Sequence, residues 1–270
     1  MPKQWTNGHN VVMDKTSTSS TNNKRTIFDK MALNCLYYLE NCFPDCAMSI
    51  DFQAGDEALL HEIISWDRKN SPYKLPSDLK NFYSMFNGVN VCWSIELSID
   101  KPSIPIGEFR INRIEDIQKV NIEHVVNMSS FNVLGSGCTV YSLDKLCDVG
   151  EVVLLYRHVG TETPGTVNHD NSFSSSGSTD NLFLPRQLIS NASRFDSPEV
   201  WLIDLSSRLH YLCSSFTHYF RVMVAHMGIT GWQLSFTPEG LPMHVQHWMG
   251  VFCKERLIVD RYCHEKSKTG

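Results

Sequence analysis

The apolar positions of this chain change period along its length, and each change marks an element. Over 75–86 the sequence LPSDLKNFYSMF places Leu79, Phe82, Tyr83 and Phe86 at i, i+3, i+4 and i+7. That spacing makes one apolar face of a helix. Pro76 suits the first turn, where its missing N–H costs nothing, and Asp78 suits the dipole there. Asn87-Gly88 offers a left-handed stop. The period then falls to two: Val89, Val91, Trp93, Ile95 and Leu97 share one side, and Asn90, Cys92, Ser94 and Glu96 the other. This predicts a half-buried strand with Trp93 inside.

The same reading covers the rest of the chain. A first helix is expected over 27–40, from Phe28, Met31, Cys35, Leu36 and Leu39. A strand is expected over 46–52. A second helix, capped by Asp56, should bury Leu59, Leu60, Ile63 and Ile64. Residues 104–111 suggest a strand and 113–120 a short helix or turn. Residues 121–137 carry little pattern. TVYSLD (139–144) and EVVLLYR (151–157) read as a hairpin. VWLIDL (200–205) is expected to be the last core strand, with Asp144 and Asp204 capping turns at strand ends. A long helix over 207–227 should follow, stopped by Gly228. Pro242 should begin a further helix with Val245, Trp248, Met249 and Phe252.

Four regions fall outside this core. Residues 1–25 are polar and Ser/Thr/Asn-rich and are expected to be disordered. Residues 158–198, centred on NHDNSFSSSGSTDN (168–181), have the composition of a flexible insertion. Residues 229–252 form an aromatic C-terminal extension packed on a domain spanning 26–228. Residues 253–270 read as a polar, frayed tail. The expected fold class is α+β: a mostly antiparallel sheet covered by helices, with a C-terminal helical extension.

Composition narrows the function classes. The 270 residues are 42% hydrophobic and 20% charged, as in an ordinary globular protein. No apolar run spans a bilayer, and the first residues lack a signal-peptide apolar region, so an intracellular protein is expected. Nine cysteines is an odd number, which argues against a closed disulfide framework. The net charge of −5, with no Lys/Arg block, argues against nucleic acid as partner.

Candidate chemistry is sparse. His244 and His247 stand i, i+3 on the helix after Pro242, with Cys253, Cys263 and His264 downstream, but the spacing fits no common zinc template. CFPDC (42–46) has three residues between its thiols and is not a thioredoxin-type motif. Gly135-Ser136-Gly137 lacks the rest of a phosphate-binding loop. No GxSxG elbow and no acidic pair in a catalytic context are found. Neither catalytic nor cofactor-binding residues are expected. Trp232, Phe236 and Trp248 are the candidate functional residues, as anchors for a partner protein. The competing reading is that they cover the sheet and close the domain.

The LP-x-DLK-x-FY helix, the NG stop and the Trp-bearing strand resemble the SUKH superfamily. With ISWDRKN (64–70), IPIGEFRINRIEDI (104–117), VWLIDLSSRLHYLCSSFTHYFRVMVAHMGITGWQLSFTPEG (200–240) and VQHWMGVF (245–252), the chain resembles the tubulin polyglutamylase complex subunit 2 family over about 27–252. The resemblance implies a non-catalytic subunit that assembles or targets a complex. A separate tubulin-tyrosine-ligase-like subunit there uses ATP to add glutamates to tubulin. It implies a cytoplasmic, cytoskeletal location, on microtubules or at a centrosomal or ciliary base. It implies no cofactor, no nucleic acid and no membrane, with microtubules touched only indirectly. Two other classes stay open: a SUKH-type binding module with an unrelated partner, and an unrecognised enzyme. A long Lys-, Ser- and Gly-rich tail expected of the family is not seen here.

Overall fold

The computed structural model describes residues 15–41, 43, 47–96, 102–125, 137–145, 147–157, 195 and 197–269. The insertion read over 158–198 lies almost wholly outside these residues. So do CFPDC as a unit, Gly135-Ser136, most of 121–137, and the first fourteen positions.

Among the described residues, two antiparallel sheets and seven α-helices make the α+β fold. The first sheet has the order β1-β2-β3, from Ala47–Ala54, Val89–Glu96 and Ile104–Ile111. The second has the order β4-β5-β6-β7, from Cys138–Asp144, Gly150–Arg157, Glu199–Asp204 and Leu209–Cys213. The helices are α1 (Lys15–Met31), α2 (Cys35–Asn41), α3 (Leu60–Lys69), α4 (Ser77–Tyr83), α5 (Phe216–Ala225), α6 (Met243–Phe252) and α7 (Lys254–Thr269). Short 3₁₀ turns occur at Ile114–Asp116 and Trp232–Phe236.

The signature segment folds as its pattern requires. Leu79, Phe82, Tyr83 and Phe86 are buried, and β2 alternates with Val89, Val91, Trp93 and Ile95 inside. Gly88 takes φ +81° where the chain turns into the strand, and a side chain there would collide with Arg113. Phe28 sits at the centre of the core. Its ring lies 5.7 to 6.3 Å from Phe52, Phe86, Phe109 and Phe220, so α1 packs against both the sheet and α5.

The expected first helix divides in two. Leu33 and Asn34 adopt φ +56° and +59°, and the Asp29 carboxylate then accepts the N–H groups of Leu36 and Tyr37 at the start of α2. The helix also begins earlier than read. α1 reaches back to Lys15, into the segment 1–25 expected to be disordered, and Lys24 forms an ion pair with Asp56. Asp56 therefore does not cap α3. The Leu59 N–H is instead held by Glu62 at 2.7 Å, and the buried face of α3 is Ile63 and Trp66, with Leu59, Leu60 and Ile64 exposed. The indole of Trp66 donates to the Ile117 carbonyl, 2.9 Å away, which fixes α3 against the 3₁₀ turn.

The largest departure lies after β6. Residues 207–227 do not form one helix. The Asp204 carboxylate accepts the N–H groups of Ser206 and Arg208, both at 2.8 Å, and Ser207 takes φ +58°. The chain reverses, and β7 pairs back on β6 with Val200 opposite Cys213 and Ile203 opposite Leu209. Ser215 then caps α5 by accepting the His218 N–H, and Asp78 from α4 accepts both the N–H and hydroxyl of Thr217. The apolar positions over 209–227 follow helical spacing, but the turn chemistry of Asp204 overrides it.

One core cluster runs from Phe28 through both sheets to Leu257, and a second covers the other face of the second sheet around Val140, Val153, Leu155 and Trp201. Both faces of that sheet are therefore buried. Residues 254–269, read as a frayed tail, are the helix α7, and its Leu257 and Asp260 are buried.

Candidate functional site: an aromatic docking surface

The C-terminal elements attach to the core through two sets of contacts. The first is polar and buried. His226 has no exposed surface at the end of α5. Its Nδ1 lies 2.7 Å from the Val222 carbonyl, and its Nε2 2.8 Å from Oδ2 of Asp260 on α7. Arg256, one turn before Asp260, pairs with the other carboxylate oxygen at 2.5 Å. The imidazole stacks on Trp232 at 4.8 Å between ring centres. The Val222 carbonyl can only accept, so Nδ1 donates to it, while Nε2 faces the Asp260 carboxylate, whose charge Arg256 balances as its Nε–H also reaches Nε2 at 3.2 Å. A buried charge is tolerated only when paired in this way. The set binds α5, the 3₁₀ turn and α7 to one another and leaves the histidine no access to a substrate.

The second set is aromatic. Phe252, at the end of α6, lies 4.9 Å from Trp93 on β2 and 4.8 Å from Phe43. Phe43 meets Tyr38 of α2 at 5.7 Å, and Trp248 lies 6.3 Å from Phe252. A continuous ladder, Tyr38–Phe43–Phe252–Trp248, thus runs outward from the core. Phe252 is buried, Phe43 and Trp248 half-buried, and Tyr38 exposed. Tyr37 and Val251 flank it and are exposed. α7 adds exposed Ile258, Val259 and Tyr262 on the side opposite Leu257 and Asp260.

The sequence-derived candidates separate by depth. Trp232 is only 1% exposed, packed on His226, Tyr219 and Phe236, and offers no surface to a partner. Phe236 is half-buried behind it, and Trp248 stands on the ladder. Tyr38 and Phe43 were missed because the first helix was read as unbroken; a Tyr-Tyr pair after Leu36 was the available signal. Asp260 was missed because a charged segment was read as a tail.

The metal-capable side chains do not converge. His244 and His247 are exposed on α6 while Cys253 is buried, and no group of three or more His, Cys, Asp or Glu stands together among the described residues. Burial pushes the Cys35 and Cys253 thiols up to about 12, so both stay protonated and unreactive at neutral pH. A cavity of about 420 Å³ is an open surface groove lined by Asp56, Glu57, Glu62 and Arg113 among others, and its Glu62 already holds the start of α3. No described helix is long and apolar enough to cross a membrane.

No family model matches the chain, and no solved structure does. Curated proteins do. The chain is 26% identical over 216 residues to proteins of Rattus norvegicus and Mus musculus, and 26% identical over 212 residues to one of Homo sapiens. All three are named tubulin polyglutamylase complex subunit 2. Each match covers 71% of this chain and 59% to 60% of the relative, so the chain spans about three-fifths of the length of the proteins it matches. The chain is thus similar to tubulin polyglutamylase complex subunit 2 proteins, the family that its sequence blocks resemble.

Proposed function

We propose that this chain is a non-catalytic assembly subunit of a tubulin polyglutamylase complex. Its task is to hold or target a separate tubulin-tyrosine-ligase-like enzyme, which adds glutamate to tubulin at the expense of ATP. The observation that carries the reading is the similarity to complex subunits over 71% of the chain. The aromatic ladder supports it, because half-exposed aromatics seated on a rigid core are the usual anchors of protein interfaces. Its place would be the microtubule cytoskeleton, at a centrosomal or ciliary base.

The test has two arms. The tagged chain, expressed in ciliated cells, is expected to co-purify with a tubulin-glutamylating ligase. The purified chain alone, with tubulin, glutamate and Mg-ATP, is expected to incorporate no glutamate. Incorporation free of any co-purifying ligase would make it an enzyme. Co-purification with an unrelated protein and no ligase would favour a binding module of the SUKH type.

A further inference from the structure

The two sheets have four edges, and the protein treats one of them differently. The β3 edge is paired by the segment after α5: Glu108 donates to the Gly228 carbonyl and Thr230 to that of Ile106, with Gly107 bridged to Ile229. The β4 edge is paired by 118–120, where Val120 donates to Val140 and Ser142 to Gln118. β7 has five residues, and its ladder with β6 shifts register between Val200 and Trp201. The ladders that hold β3 and β4 are also interrupted. β1 differs on every count. Its eight residues pair with β2 in unbroken register, from Ala47 opposite Glu96 to Ala54 opposite Val89. Among the described residues no backbone group bonds to its other side.

Side chains mark the same edge as unfinished. Met48, Ile50, Phe52 and Ala54 face the core, yet each is only half-buried. Their cross-strand partners on β2, namely Ile95, Trp93, Val91 and Val89, are at most 4% exposed. The missing cover is therefore lateral, where the next strand would lie. On the solvent face Asp51 is exposed, and among the described residues no cation pairs with it; its carboxylate accepts from the Gln53 amide, at 2.7 Å. Proteins guard exposed edges with bulges, prolines, lysines or covering segments. β1 has none of the first three within Ala47–Ala54.

We propose that β1 receives an extended segment of a partner protein as a fourth strand of the first sheet. The outward N–H and C=O groups of β1, which no described residue pairs, define an extended backbone as the occupant. The half-covered Met48, Ile50 and Phe52 call for apolar residues at alternate positions of that segment. Asp51 calls for a lysine or arginine on its other side. Which partner supplies the segment rests on the reading above, but the edge itself does not.

The edge is tested without the complex. The full chain is followed by amide hydrogen exchange, alone and with about 1 mM of a synthetic peptide alternating valine and lysine. The expected result is that alternate amides of 47–54 exchange fast in the free chain and slow by a factor of about ten with the peptide. A peptide N-methylated at alternate residues should have no effect. Amides already protected throughout 47–54 in the free chain would overturn the proposal, as would no slowing by the peptide. Protection that grows with protein concentration alone would assign the edge to a second copy instead. A complex-bound chain supplies the second arm. If the chain enters a ligase complex and 47–54 stays unprotected, the edge inference fails and the assembly reading stands. If no ligase co-purifies but the peptide still protects β1, the edge stands and the assembly reading fails.

Discussion

The indole N–H of Trp93 donates to the carbonyl of Met227, 2.8 Å away and 134 residues further along the chain. Met227 lies in the turn that ends α5 and takes φ +53°, so its carbonyl is not used by the helix. One side chain thus fills the core beneath β2 and fixes the exit from α5.

Trp93→Ala is expected to cost about 3–5 kcal/mol, as large core truncations do. Trp93→Phe keeps most of the volume and strands the Met227 carbonyl, at about 1–3 kcal/mol. Gly107 stands directly opposite, where an added Cβ would overlap the indole nitrogen. Gly107→Ala should therefore destabilise strongly in the parent and less in the Trp93→Phe background. Urea unfolding of the four chains checks this, and equal costs in both backgrounds would show that the indole does not set the glycine.

The C-terminal elements are core structure by their burial. Trp232, Val245, Met249, Phe252 and Leu257 all belong to the main cluster. Truncation after Gly228 is therefore expected to give a chain that does not melt cooperatively, although the sequence pattern suggested a domain complete at that point. Asp260→Ala, which removes the buried carboxylate that His226 and Arg256 share, should cost about 3–5 kcal/mol. The coupling between His226→Gln and Asp260→Asn in a double-mutant cycle should be at least about 0.5 kcal/mol, whereas strict additivity would deny the contact.

Acid should weaken the β6–β7 turn. Burial acts to raise the Asp204 carboxyl, but hydrogen bonds from the Arg208 N–H, from His210 and from the Arg208 guanidinium outweigh it and hold the group below its ordinary 3.8. The folded chain then binds fewer protons than the unfolded one, so this stabilisation is full above the ordinary value and is lost as pH falls through the lowered one. In urea midpoints measured from pH 6 to 2, the gap between the parent and Asp204→Asn should be constant above about pH 5 and close below about pH 4. A gap that does not change with pH would remove Asp204 from the acid response.

The outer ladder should matter to association more than to folding. Tyr38→Ala, at an exposed position, should shift melting by no more than about 2 °C, since about 1 kcal/mol moves a chain of this size by 2–4 °C. Trp248→Ala should cost more, because its ring is half-buried. Each is expected to weaken binding to the ligase complex by about 1–2 kcal/mol if the ladder is the interface. Unchanged binding of the folded double variant would place the interface elsewhere.

Much of this fold was legible because its local signals agree. The 75–96 segment carries helix period, stop and strand period in one run, and nothing nearby competes with them. Where the reading failed, one polar side chain had reset the backbone. Asp29 starts a second helix after Leu33-Asn34, and Asp204 turns a helix-spaced run into a strand. Asp260 looked like part of a solvated tail because its partner, His226, lies 34 residues away. Of the three aromatic anchors proposed, depth separates Trp232 from Trp248, and depth depends on which turns meet in space.

The closed base of the β5–β6 excursion has a practical meaning. Leu155 lies opposite Glu199, and Arg157 binds the Glu199 carboxylate at 2.8 Å, so the chain leaves the sheet and returns to it at neighbouring points. These two points by themselves set no length for the segment that joins them. Loop closure costs little more for a longer loop than for a shorter one. Exchanging 166–182 for a short Gly/Ser linker should leave cooperative melting intact, and loss of soluble protein would show that the segment packs. By the same logic this is the position for a fluorescent reporter or affinity handle, on a chain whose ends and aromatic surface are then left untouched for assembly experiments.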